Sequence, residues 1–134
     1  MKWQHILLLG LLLLIMLPLT GCGAAPQPAR VDPDGLIIEI HTTPDPPIAG
    51  EVMLTVNIKD AAQQAVDGAD VTLLVSHTSM ATMLMQQKAV STGNGQYSAT
   101  FDFSRDSQGD WGVTVEVRNV QPQTLRENFV ISTP

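Results

Sequence analysis

The sequence predicts an all-β chain, an immunoglobulin-like antiparallel β-sandwich of about seven strands. Three observations predict it. From Leu36 onward, apolar and polar residues alternate with period two, the pattern of strands that bury one face. Pro, Gly, Asn and Asp punctuate the alternating runs at short intervals. No segment sustains the apolar period of a helix. Residues 36–134 suffice for one domain and no more.

Two segments of different character precede that domain. Lys2 gives a short basic start, and Ile6 to Leu17 then runs without a charge. This matches a secretory signal peptide, and the run is shorter than the about 20 apolar residues that span a membrane. Leu19-Thr20-Gly21-Cys22 follows and resembles the lipobox of bacterial lipoproteins. The resemblance implies that residues 1–21 are removed and that Cys22 is acylated. The alternative is an ordinary leader followed by an incidental thiol. Acylation gives the lone cysteine of an exported chain a role. Each buried CH2 contributes about 0.8 kcal/mol to anchorage, so several acyl chains hold the protein lastingly on the extracytoplasmic side of a cell membrane. Cys22 is then neither a redox nor a metal residue.

Residues 22–35 read as a flexible tether, because Pro26, Pro28 and Pro33 stand in it without an apolar period. Largely extended, it reaches roughly 40 Å at about 3.1 Å per residue. The formal net charge is −6, and Lys2 leaves with the leader. That acidity argues against nucleic acid as a partner and against electrostatic adhesion to anionic lipid.

The strands follow in order. Leu36, Ile38 and Ile40 alternate with Ile37, Glu39 and His41. The prolines between Thr43 and Gly50 break that run, since proline donates nothing to a ladder. Val52, Leu54, Val56 and Ile58 make the next inner face, and Asp60 to Gly68 is a polar turn region. Val71, Leu73 and Val75 make another. Gly93-Asn94-Gly95 is a turn signal, after which Tyr97, Ala99, Phe101 and Phe103 share a face. Asp106 to Asp110 turns again. Trp111, Val113, Val115 and Val117 give the cleanest alternation, and Trp111 can fill the core where no disulfide is available. Leu125, Glu127, Phe129 and Ile131 close the chain. Gly95-Gln96-Tyr97 is similar to the tyrosine corner of such sandwiches, in which the phenol bonds backbone across an inter-sheet connection.

Between Val75 and Gly93 lies the stretch with the most chemistry, read as a Met-rich loop. Of six methionines, Met1 and Met16 fall in the leader. Met80, Met83 and Met85 cluster within a few residues of His77, leaving Met53 apart. Thioethers are soft ligands that select Cu(I), and imidazole binds copper in either state. A Cu(I) site of Met80, Met83 and Met85 with His77 as fourth ligand is chemically coherent. On a straight strand Met83 and Met85 share a face but Met80 and His77 do not both join them, so the backbone has to turn. The other reading makes Met83 and Met85 adaptable core side chains that plug one end of the sandwich. His41 is a further candidate, although a strand histidine is commonly just exposed.

Pro47-Ile48-Ala49-Gly50, Val66 to Val71, Gly95-x-Tyr97-x-Ala99 and Gly109-Asp110-Trp111-x-Val113-x-Val115 together resemble the YtkA-like or FixH-like domains. The resemblance covers about residues 44 to 118. Such domains carry Met-Pro-x-Met-Gly-Met between the two halves, and here the spacing stands as Met80, Met83 and Met85. Ala81 replaces the proline and Leu84 the glycine. The resemblance implies an exported, copper-associated accessory domain with no catalysis to carry over.

Other signals dissolve on inspection. Asp102 to Asp110 begins like a calcium loop, but its glycine is displaced and Val113 stands where the bidentate Glu belongs. No Ser/His/Asp set, activated Cys or paired carboxylate is legible, so an enzyme is not expected. Two functions remain open: a copper-handling module, or a structural module that presents its sandwich to a protein partner in the cell envelope.

Overall fold

The computed structural model describes residues 29–31, 35–103, 109–120 and 125–133. The leader, Cys22 and most of the tether lie outside the described residues, as do the inner residues of the Asp102–Asp110 turn. The strands are β1 (Arg30–Val31), β2 (Ile37–Thr43), β3 (Glu51–Lys59), β4 (Asp70–His77) and β5 (Met80–Lys88). β6 (Val90–Gly93), β7 (Gln96–Asp102), β8 (Gly109–Arg118) and β9 (Leu125–Thr133) follow. They form two antiparallel sheets, ordered β1-β2-β3-β7-β6 and β5-β4-β8-β9. The sandwich takes in Arg30 and Val31, two residues of the stretch assigned to the tether, because β1 pairs with β2.

The alternation in the sequence becomes the two inner faces. Ile38 and Ile40 of β2, Val52, Leu54, Val56 and Ile58 of β3, and Tyr97 and Phe101 of β7 are buried on one sheet. Val71, Leu73 and Val75 of β4, Trp111, Val113, Val115 and Val117 of β8, and Phe129 and Ile131 of β9 face them. Four large aromatic side chains, Trp111, Tyr97, Phe101 and Phe103, are fully buried in the core. Each core side chain of this size contributes roughly 1.5–3 kcal/mol by leaving water.

The tyrosine corner is present. The Tyr97 hydroxyl donates to the Val66 carbonyl at 2.8 Å and accepts from the Ala69 amide at 3.0 Å. Val66 and Ala69 lie on the crossing from β3 in one sheet to β4 in the other. The β6–β7 hairpin turns on Asn94 and Gly95, with φ of 54° and 70°. Two positive φ values in a two-residue loop match the twist of the flanking strands.

The sheets are also tied along their edges. The Arg30 guanidinium of β1 sits 5.5 Å from the Phe129 ring centroid of β9. On the opposite edge of the four-stranded sheet, the Gln87 amide of β5 donates to the Thr100 carbonyl of β7 at 2.9 Å. Glu116 departs from the alternation of β8. It belongs to the outer face of that strand, yet it is buried under Arg118, at 3.2 Å, and Arg126 of β9. Long stems from the same and the neighbouring strand cover it.

A methionine cleft at the edge of the sandwich

The alternation of β4 runs one step beyond Val75, so His77 also points inward and is buried. A buried imidazole needs partners. Its Nδ1 accepts the Ser79 amide at 3.2 Å and lies 2.9 Å from the Ser79 hydroxyl. With Nδ1 accepting, the neutral ring carries its proton on Nε2. Nε2 faces Gly109, where a Cβ would stand only 3.2 Å away. In this arrangement neither ring nitrogen offers a lone pair to a metal. The ring instead meets Trp111 edge-to-face, with centroids 4.8 Å apart and planes at 83°. Trp111 lies opposite His77 in the β4–β8 register.

The methionine stretch is an edge strand, not the loop expected from the sequence. Ala81 and Leu84 explain this. Proline and glycine at those positions would weaken a strand, and without them the chain stays extended and pairs with β4. Thr78 begins the turn and is clipped to the Asp110 carbonyl by its amide at 3.0 Å and its hydroxyl at 2.9 Å. Met80 then pairs with His77, while Leu84 pairs with Ser76. Ala81, Thr82 and Met83 stand between those pairs without partners in β4, a bulge on an open edge. The hairpin thus supplies the turn that bringing Met80 beside His77 requires.

The bulge settles which way the sulfurs go. Met85 pairs with Val75, whose side chain points inward, and packs partly buried against the core. Met83, two residues earlier, is likewise half-buried. Leu84 points outward and is 60 % exposed, and Met80 is 39 % exposed at the hairpin tip. Met83 and Met85 line a cleft of about 380 Å³ together with Thr82, Leu84, Asp102 and Trp111. It opens between the β5 edge and the end of β7. Trp111 is itself held by a second edge-to-face contact, with Phe103 at 4.8 Å. Its Nε1 is buried without a hydrogen-bond partner among the described residues.

The structure therefore brings Met83 and Met85 together, keeps Met80 at the rim, and turns His77 toward Trp111. His41 is exposed on the outer face of the other sheet, opposite Thr55, and takes no part. Met53 is exposed on that same outer face. Trp111 and Asp102 are the additions. The sequence treated the first as core and the second as part of a turn, and only the pairing of β4 with β8 carries Trp111 to the methionines. Among the described residues no three His, Cys, Asp or Glu side chains are grouped to hold a metal ion. The donors on offer in the cleft are two thioethers, beside one indole and one carboxylate.

The YtkA-like family model matches residues 30–116, more than half of the chain. A solved structure, the soluble domain of PmoD from Methylocystis sp. ATCC 49242 (Rockwell), is similar with a TM-score of 0.54 and 14 % identity. The match covers 84 % of this chain and 100 % of that one, a likeness of fold. No curated protein matches the chain.

Proposed function

This chain belongs to the YtkA-like family, and we propose that it is a lipid-anchored, extracytoplasmic accessory domain that binds Cu(I) through the thioethers of β5. One observation carries the reading: Met83 and Met85 alternate onto the same face of an edge strand and line one cleft. Thioethers remain ligands at any pH at which the fold stands, and their softness matches the reduced ion rather than Cu(II) or Zn. Met80, brought back opposite His77 by the hairpin, is the third donor. His77 joins as a fourth only if it releases Ser79. Anchorage through Cys22 keeps the domain at the membrane, where a protein partner of the cell envelope exchanges the metal with it.

A second reading has its own observation. Met85 packs against the core, and the exposed Leu84 stands on an unpaired strand edge. A module that only binds a protein partner through this edge needs no metal. The two readings part in a competition assay, with Cu(I) titrated into the protein against a chromogenic chelator. Replacing Met83 and Met85 by Leu keeps volume and apolarity. The copper reading expects the double variant to surrender the metal to the chelator. Equal retention by variant and wild type leaves only the interaction module.

A further inference from the structure

Trp111 is the most tightly built element around the cleft. Its indole is 1 % exposed, yet it forms part of the lining beside Met83 and Met85. Phe103 and His77 each meet it edge-to-face at 4.8 Å. His77 is in turn held by Ser79 through Nδ1, and Ser79 by a turn clipped to Asp110 through Thr78. This chain of contacts runs from the β8 backbone, through the hairpin, back to the ring of a β8 side chain. Its effect is to fix the plane of one indole next to two sulfurs.

An indole has the most electron-rich face of any side chain, and it attracts cations within about 6 Å of its centroid. Two neutral thioethers bring no charge to meet that of a bound Cu(I), and the cleft sets Trp111 and the carboxylate-bearing Asp102 beside them. A π face there stabilises a weakly hydrated monovalent ion without demanding a further ligand. We infer that Trp111 is the π wall of the cleft and that His77 is its positioning residue rather than a metal ligand, an inference that rests on the Cu(I) reading above. His77 has the geometry for that role. Its ring packs on Trp111 while its nitrogens are turned to Ser79 and toward Gly109.

The test uses the full chain in detergent with Trp3→Phe, so that Trp111 is the only indole whether the leader is removed or retained. Cu(I), and Ag(I) as a redox-silent ion of the same charge, are titrated while Trp111 emission and chelator competition are read in parallel. Both ions are expected to quench and shift Trp111 emission at one equivalent. Trp111→Phe keeps a ring between His77 and Phe103 but weakens the π face, and retention should fall by about tenfold. His77→Phe keeps the edge-to-face contact and removes both nitrogens; it should hold Cu(I) nearly as wild type and keep the emission response. His77→Ala loses the contact and should blunt both.

Loss of Cu(I) by His77→Phe as complete as that of the Met83→Leu, Met85→Leu variant makes His77 a ligand and overturns the inference, leaving the Cu(I) reading intact. Binding of Cu(I) and Ag(I) with no change in wild-type Trp111 emission also overturns it, and that result needs no core variant to fold. Undiminished copper retention by the double leucine variant removes the Cu(I) reading and the inference with it.

Discussion

Among the described glycines, Gly95 leaves the least room for a side chain, and Gly95→Ala measures it. The residue has φ of +70°, and a Cβ there would lie 2.5 Å from the Ile58 carbonyl oxygen and 3.0 Å from the Val66 nitrogen. Both neighbours are backbone, so neither can swing aside. The left-handed conformation costs an L-residue roughly 1–2 kcal/mol. Moving the strands apart also weakens the bonds Ile58 N–H to Gly95 C=O and Gly95 N–H to Asp67, each 2.8 Å. At about 1 kcal/mol per bond, the total reaches roughly 3–4 kcal/mol. Gly68→Ala is the control. It has φ of +80° but nothing within 4 Å of the added Cβ, so only the conformational term of roughly 1–2 kcal/mol applies. Urea unfolding at constant m should therefore separate the two variants by about 2 kcal/mol. In heat, that gap corresponds to roughly 8–16 °C for a domain of this size. Equal midpoints for the two variants would show that the β6–β7 turn does not press on the β3–β4 crossing, and the account of the tyrosine corner would go with it.

Three further outcomes are expected. Tyr97→Phe removes the hydroxyl that joins Val66 to Ala69 and should lower unfolding stability by about 1–3 kcal/mol, read by denaturant titration. Glu116→Ala leaves Arg118 and Arg126 without their shared carboxylate. Because both arginines are largely exposed, the loss should stay near 1–2 kcal/mol, below that of a fully buried pair, and salt should narrow it by screening the two arginines from each other. Cys22→Ser should move the protein from the membrane fraction to the soluble one, and a variant that stays with the membrane contradicts the anchor.

The inner faces were legible because they depend on a local property. Val52 to Ile58 and Trp111 to Val117 alternate strictly, and a period of two has one meaning for a strand with a core on one side. The same rule, carried two residues past Val75, puts His77 inside. Parity, not nearness to the methionines, decides where the His77 ring points. The Met-rich edge was harder to read. Met83, Leu84 and Met85 are apolar on both faces, so alternation is silent there, and the turn residues that would make a loop are replaced by Ala81 and Leu84. The remaining features depend on register between distant strands. Arg30 on Phe129, Glu116 under Arg126, and Trp111 beside Met83 and Met85 join residues that no local pattern relates.

The central claim is that copper is held by the sulfurs of β5, and X-ray absorption at the copper edge of the Cu(I)-loaded protein tests it most directly. A reduced-copper edge is expected, with a first shell dominated by sulfur from Met83 and Met85, and loss of that shell in the Met83→Leu, Met85→Leu variant. A first shell of nitrogen and oxygen alone, unchanged in the double variant, would contradict it.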